Sequence, residues 1–298
     1  MLLMLCVYVC FTFLDTSSKY LVLAGVSALI VAWARFIVHV LLVGVFLRGW
    51  RAPSRFRARN LPAHILRGAF LFGSTMCNIF ALRTLQLAET TSIYFFGPMV
   101  ITALAGPLLG EWAGWRRWLA IAVGFAGVLV IVRPGFEGFS IYSLLALASV
   151  ACCAVRDLST RRIPQAIPTL LVSTATALAM TVLGAALLAP MGGWTPMSGK
   201  ATALLALAAV LVLIGYQFII MAMRSGDISF IAPFRYTALL WSILLGLVIF
   251  GDVPDLPMTL GAAIIVGSGL YALYRERIVG RRQTAAESAG PDMAPDGI

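Results

Sequence analysis

Residues 81–111, ALRTLQLAETTSIYFFGPMVITALAGPLLGE, and residues 222–252, AMRSGDISFIAPFRYTALLWSILLGLVIFGD, decide how this chain is read. Both open on Ala-x-Arg and both close on a glycine followed by an acidic residue. Arg83 precedes Glu111 by 28 positions, as Arg224 precedes Asp252. The interior of the match needs a gap, because Glu89 and Asp227 stand at unequal distances from their arginines. Two copies of one unit, offset by 141 residues, are expected from this likeness.

Each stretch is mostly an apolar run, and eight more such runs flank them. A helix that crosses hydrocarbon needs about 20 mostly apolar residues. Runs of that kind lie at 2–23, 27–47, 61–82, 90–109, 118–132, 141–155, 169–188, 202–223, 229–250 and 258–274. The composition agrees: 61% of residues are hydrophobic and 11% charged, with a mean hydropathy of +0.96, too apolar for a domain with a water-facing surface. The chain reads as an all-α integral membrane protein with ten transmembrane helices. The first run lacks a cationic leader region and a small-residue cleavage site, so it is read as a helix rather than a signal peptide.

The net charge of +10 would suggest nucleic acid in a soluble domain. Here the cations sit between the runs, and their distribution sets orientation. One side receives fifteen of them, among them Arg48, Arg51, Arg55, Arg57 and Arg59, and later Arg281 and Arg282. The other side receives only Arg83, Arg133 and Lys200. The rich side is expected to be cytoplasmic, with both termini inside. Equivalent loops carry opposite charge character: EWAGWRR (111–117) holds two arginines, whereas GDVPDLP (251–257) holds none and has two aspartates. Five helices per copy would place the second copy upside down, as this redistribution requires. The expected units are a first five-helix repeat at 1–135, an inverted second repeat at 136–276, and a disordered cytoplasmic tail at 277–298.

These residues resemble a known family. The five-plus-five plan, the acidic residues closing runs four and nine (Gly110-Glu111 and Gly251-Asp252), the glycine-rich helices that follow, and Lys19 in the first run look like EamA-type members of the drug/metabolite transporter superfamily. Within it the chain looks most like the YddG-type amino acid exporters. The resemblance spans roughly residues 1–276. It implies a secondary transporter of the bacterial inner membrane that exports amino acids, aromatic or neutral ones included, and related metabolites by alternating access around a midplane cavity. One departure is that Pro98 in the fourth run has no proline at the equivalent place in the ninth, where Pro233 comes earlier.

Such a cavity needs polar groups to replace substrate hydration and helices able to bend. The candidate substrate-binding residues are Asn78, Tyr94, Phe95, Phe96, Tyr216, Gln217, Arg235 and Trp241, with Gly97, Pro98 and Pro233 as hinge residues. Pro98 leaves a helical carbonyl without its donor and favours a kink. Arg235 either meets a substrate carboxylate with its fork of donors or reaches out to the interface. Asp15, Lys19 and Arg35 fall within apolar runs, where a charge is costly. An Asp15–Lys19 pair one helical turn apart, or an Asp15–Arg35 pair between helices, would serve either as a structural lock or in proton coupling. Asp157 beside Arg156 reads as an interfacial pair.

No H-E-x-x-H, G-x-S-x-G or facing Asp pair is present, and the chain has two His, so an enzyme is not expected. Nor is a metal or a cofactor. The five cysteines lack any C-x-x-C spacing and read as packing residues. The implied partners are a small-molecule substrate, the lipid bilayer and a candidate coupling proton, with no nucleic acid. Multidrug, nucleotide-sugar or organic-anion transport, or a non-transporting scaffold, are the alternatives. With the native cysteines replaced, Ser54→Cys is expected to react with an impermeant thiol reagent only from the cytoplasm, and Gly193→Cys only from the opposite side. Labelling of both from one side overturns the ten-helix topology.

Overall fold

The computed structural model describes residues 2–46, 61–110, 114–135, 139–161, 169–188, 197–225 and 235–279. Among the described residues there is no strand. The helices are α1 (Leu2–Leu23), α2 (Ala28–Phe46), α3 (Leu61–Leu82), α4 (Leu87–Tyr94), α5 (Gly97–Leu109), α6 (Trp115–Val132), α7 (Ile141–Arg161), α8 (Thr169–Leu188), α9 (Gly199–Ser225), α10 (Thr237–Leu245) and α11 (Leu256–Val279). They fall on the ten apolar runs. A backbone in lipid must satisfy its own N–H and C=O groups, and the helix does so within one segment. Hydroxyls on α1 do likewise: Thr12, Thr16, Ser17 and Ser18 each donate to the carbonyl four residues back.

Five segments, 5–23, 65–82, 87–108, 141–159 and 256–274, are long and apolar enough to cross a membrane by themselves. Large apolar side chains face outward in quantity: Trp115, Leu240, Val248, Leu256 and Tyr274 are mostly exposed. Lipid is the solvent that such a surface suits.

The fourth run departs from a single helix. It splits at Phe95 and Phe96, whose ψ angles of −13° and −14° open a turn between α4 and α5. Pro98 lacks the N–H that would bond to the Tyr94 carbonyl, and it sits in the first turn of α5, where a missing donor costs nothing. The ninth run is also interrupted, but differently. After α10 the chain forms a π-turn at Gly246–Phe250, which Gly251 closes at φ 70°. Gly110 closes α5 at φ 77°. In both places a left-handed glycine turns the chain immediately before the acidic position, although Glu111 lies outside the described residues.

The helix pairings come in matched couples. α3 packs on α7 and α1 on α9; α3 packs on α8 and α2 on α9; α5 packs on α7 and α1 on α10. α2 with α8, α4 with α10, and α6 with α11 complete the bundle. The last of these is a backbone contact. A Cβ on Gly261 would lie 2.6 Å from the Gly127 carbonyl oxygen and 2.5 Å from Ile131, while one on Gly127 would lie 2.9 Å from the Gly261 oxygen. Small residues permit this approach. Farther along the same pair, Met99 of α5 enters beside Gly124, where a Cβ would fall 2.2 Å from its sulfur, and the Ser268 hydroxyl approaches that sulfur at 3.8 Å.

Gly261→Ala forces a carbonyl and a branched side chain apart, and overpacking of this kind costs roughly 1–3 kcal/mol. It should lower the thermal unfolding midpoint of the protein in detergent. Gly267→Ala, on the same helix with nothing within 4 Å of the added carbon, should hold or raise it, because alanine is the better helix former.

Candidate functional site

The Arg-poor loops converge on one ammonium. Lys19, only 5% exposed near the end of α1, places Nζ 2.7 Å from Asp252 Oδ2, donates to the Leu85 carbonyl at 3.0 Å, and stands 4.6 Å above the Phe250 ring. Local folding brings Asp252 there: its N–H donates to the Gly246 carbonyl across the π-turn, folding the chain back toward α1. Gln86 donates to the Val253 carbonyl, and Arg133 pairs with Asp255. Partial burial would raise the Asp255 carboxyl, but the Arg133 hydrogen bond and the Met258 N–H hold it below the ordinary carboxylate range. Lys19 therefore crosses the bundle rather than pairing within α1. Helical spacing points to Asp15, whereas Asp252 and the Leu85 carbonyl come from turns that spacing does not reveal. Asp15 and Arg35 are half-buried, and Arg35 Nε has no hydrogen-bond partner.

A second polar knot joins α3, α4 and α7. Ser149 donates to the Ser74 carbonyl at 2.7 Å, and its hydroxyl oxygen meets Ser74 Oγ at 3.0 Å and the Tyr94 hydroxyl. Since Ser149 has spent its proton on the carbonyl, Tyr94 is the donor in its own bond. Tyr94 is thus buried and engaged with α7. Thr91 and Ser242, 2.7 Å apart, tie α4 to α10.

The cavity lies toward the other end, between α5, α6, the start of α10 and α11. Phe95, Pro98, Met99 and Thr102 form one wall, Arg117, Ala120 and Ile121 another, and Arg235, Tyr236, Gly269, Ala272 and Leu273 the rest. Phe95 meets Tyr236 edge-on, centroids 4.9 Å apart at 77°. Gly269 leaves space for the Tyr236 hydroxyl, since a Cβ there would sit 2.0 Å from that oxygen.

Of the residues expected to bind substrate, the structure brings Phe95 and Arg235 to this cavity, together with Pro98, expected as a hinge. Arg235 is 3% exposed and points inward. Phe96 stacks obliquely on Phe125 at 5.9 Å instead. Asn78 is half-buried on α3, with Oδ1 lacking a hydrogen-bond partner. Gly97 opens α5 beside Val150. Trp241 is half-buried on α10. The side chains of Tyr216 and Gln217, and all of Pro233, lie outside the described residues. Tyr236 and Arg117 were missed. Adjacency to Arg235 was the available signal for Tyr236; Arg117 passed as an orientation charge.

Arg156 and Asp157 are bonded as expected, Nε to Oδ1 at 2.7 Å. They are buried rather than interfacial, at 1% and 6% exposure. Helix α7 runs on to Arg161 and packs against α3 and α5, which encloses the pair. Among the described residues no cluster of His, Cys, Asp and Glu could hold a metal ion, and the five cysteines are free thiols.

Residues 1–133 match the EamA-like transporter family. Over that stretch the chain is similar to EamA-like transporters. It is similar to the S-adenosylmethionine uptake transporter of Rickettsia prowazekii (strain Madrid E), 29% identical over 88% of each chain. It is also similar to the riboflavin transporter of Vibrio cholerae, 25% identical over 87% of each. The pseudopaline exporter of Pseudomonas aeruginosa is 22% identical, covering 85% of this chain and 88% of that one. A solved crystal structure superposes with a TM-score of 0.60 at 22% identity over 93% of this chain and 99% of its own, a likeness of fold. These relatives are all named as transporters.

Removing Asp252 strands a buried ammonium, which typically costs 3–5 kcal/mol; Asp252 is itself about a quarter exposed, so the low end applies. Asp252→Asn should lower stability in detergent by about 3 kcal/mol, and the pair Lys19→Met with Asp252→Leu by clearly less. A double-variant loss equal to the sum of the separate Lys19→Met and Asp252→Leu losses would show that the two side chains do not couple.

Proposed function

We propose that this EamA-like chain is a secondary transporter that takes up an organic solute with an amino-acid head and an aromatic or heteroaromatic body, working by alternating access. The observation that carries this is the cavity itself: Phe95, at the break in the fourth run, and Tyr236 offer ring faces, and Arg235 offers a buried fork of donors beside Tyr236 just before α10. S-Adenosylmethionine fits this description and is the first solute to test. The relatives named for its uptake favour that direction over the export expected from resemblance to amino acid exporters. Free aromatic amino acids and riboflavin are the comparison solutes.

Two inverted five-helix repeats, 1–135 and 136–276, are the frame we propose for the alternation. The matched couples of helix pairings and the equivalent left-handed glycines support it, as does the opposite charge of equivalent loops. In the arrangement described, Lys19, Asp252, Gln86 and Arg133 hold the Arg-poor end shut while the cavity lies nearer the Arg-rich end. A bacterial inner membrane with cytoplasmic termini is the placement consistent with that charge bias. A proton is the proposed coupling ion.

The purified protein in liposomes should exchange external labelled S-adenosylmethionine against an internal unlabelled pool, with a rate that responds to an imposed pH gradient. Arg235→Gln should weaken apparent affinity by about tenfold, the cost of losing one hydrogen bond to a charged group. If folded, inserted protein moves none of the three solute types, the reading is wrong.

A further inference from the structure

Two glycines shape the wall of the cavity beside the break in the fourth run. Tyr236 lays its hydroxyl over Gly269 of α11, where a Cβ would sit 2.0 Å from that oxygen and 3.1 Å from Cζ. Met99 of α5 fills the space over Gly124 of α6, where a Cβ would sit 2.2 Å from its sulfur and 3.0 Å from its methyl carbon. That methyl carbon also lies 3.8 Å from the Cβ position of Gly269, so the two side chains approach one another over α11. Phe95 stands edge-on to Tyr236, and Ala120, Ile121 and Leu273 continue the lining in carbon. Neutral donors are scarce here. Thr102 lines the cavity, but its hydroxyl is spent on the Pro98 carbonyl at 2.9 Å. The Tyr236 hydroxyl is on a half-buried side chain and has no hydrogen-bond partner among the described residues. A phenol in apolar surroundings ordinarily finds an acceptor, and the space this one borders is the cavity.

We propose that the Tyr236 hydroxyl donates to a ring acceptor of the solute, so that the cavity selects a heteroaromatic body with a pyridine-type nitrogen or a ring carbonyl at its edge, held between Phe95 and Met99. The subsite rests on the transport reading for the rest of the solute and narrows its body from aromatic to heteroaromatic. A carbocyclic ring fills the same space but keeps water from the hydroxyl without replacing the bond, and that loss is the source of the discrimination. Gly269 and Gly124 are positioning residues. The first gives Tyr236 a seat from which its hydroxyl borders the cavity, and the second keeps Met99 drawn back toward α6.

The test compares L-phenylalanine with the three isomers of L-pyridylalanine, each differing from it by one ring nitrogen. The readout is the dose dependence of the thermal unfolding midpoint of the full-length protein in detergent, in mildly alkaline buffer where the pyridine nitrogen carries no proton. At least one isomer is expected to act at concentrations roughly fivefold below phenylalanine, the worth of one neutral hydrogen bond. Tyr236→Phe should abolish that preference. Gly269→Ala, which drives the hydroxyl off its seat, should abolish it with Tyr236 still present. Gly124→Ala should weaken all four ligands several-fold by pushing Met99 into the cavity, and adding Met99→Ala should restore them. Where Gly269→Ala fails to fold, Tyr236→Phe, the loss of a single oxygen, decides the matter. Equal responses to the four ligands, no response to any, or a preference that survives Tyr236→Phe would overturn the subsite, and failure of Met99→Ala to restore binding would overturn the role of Gly124. A protein that shows the preference yet moves no solute in liposomes keeps the subsite and loses the transport reading; one that transports but ignores the ring nitrogen loses the subsite alone.

Discussion

The ammonium of Lys19 is the constraint around which one end of the bundle is arranged. A cation on the first apolar run has no water to retreat to, and desolvating it costs several kcal/mol unless a counter-charge and further acceptors surround it. Asp252, the Leu85 carbonyl and the Phe250 ring supply these from three directions. To deliver them, the ninth run must end in a π-turn and the chain must reverse at Gly251, and the segment between α3 and α4 must turn a carbonyl inward. Irregular backbone is tolerated at membrane depth where protein covers it, and Lys19 is the group it covers.

The two ends of the molecule treat charge differently. At the Arg-poor end Lys19 is matched by Asp252 and Arg133 by Asp255, and Gln86 ties the turn after α3 to Val253. At the Arg-rich end guanidiniums exceed carboxylates among the described residues, and a cavity adjoins them. The proposed alternating access would need such an asymmetry in any one state, since a solute is then admitted from one side at a time. The aromatic pair Phe95–Tyr236 joins the turn that splits the fourth run to the turn that leads into α10.

Much of the frame was legible because membrane helices follow from apolar length, and the ten runs coincide with the described helices within a few residues at most ends. The break at Phe95–Phe96 was also legible, through Pro98 and its missing donor. The partners of buried charges were not. Lys19 invited an answer from its own helix, since i, i+4 spacing is visible in a string of letters while a carboxylate 233 positions away is not. Arg156 and Asp157 were read as interfacial because they stand near the end of an apolar run; burial of that end by α3 and α5 is a property of the bundle. Arg117 passed as an orientation charge for a similar reason, as loop position says nothing about a cavity beside it.

The contact between α6 and α11 has a mechanical consequence. Gly127 and Gly261 bring the two backbones together near the Arg-poor end, while Arg117, Ala120, Gly269, Ala272 and Leu273 of the same helices border the cavity beyond the inserted Met99. The pair is a fork with its vertex at the glycines. At 1.5 Å per residue, the ten residues from Gly127 to Arg117 make an arm of about 15 Å. A swing of about 10° at the vertex then moves the tip by roughly 2.6 Å, the order of a water molecule's diameter. Small adjustments at a tightly packed pivot are thereby magnified at the mouth, and the side chain of Met99, flexible and unbranched, is the wedge that sets how far the arms stand apart.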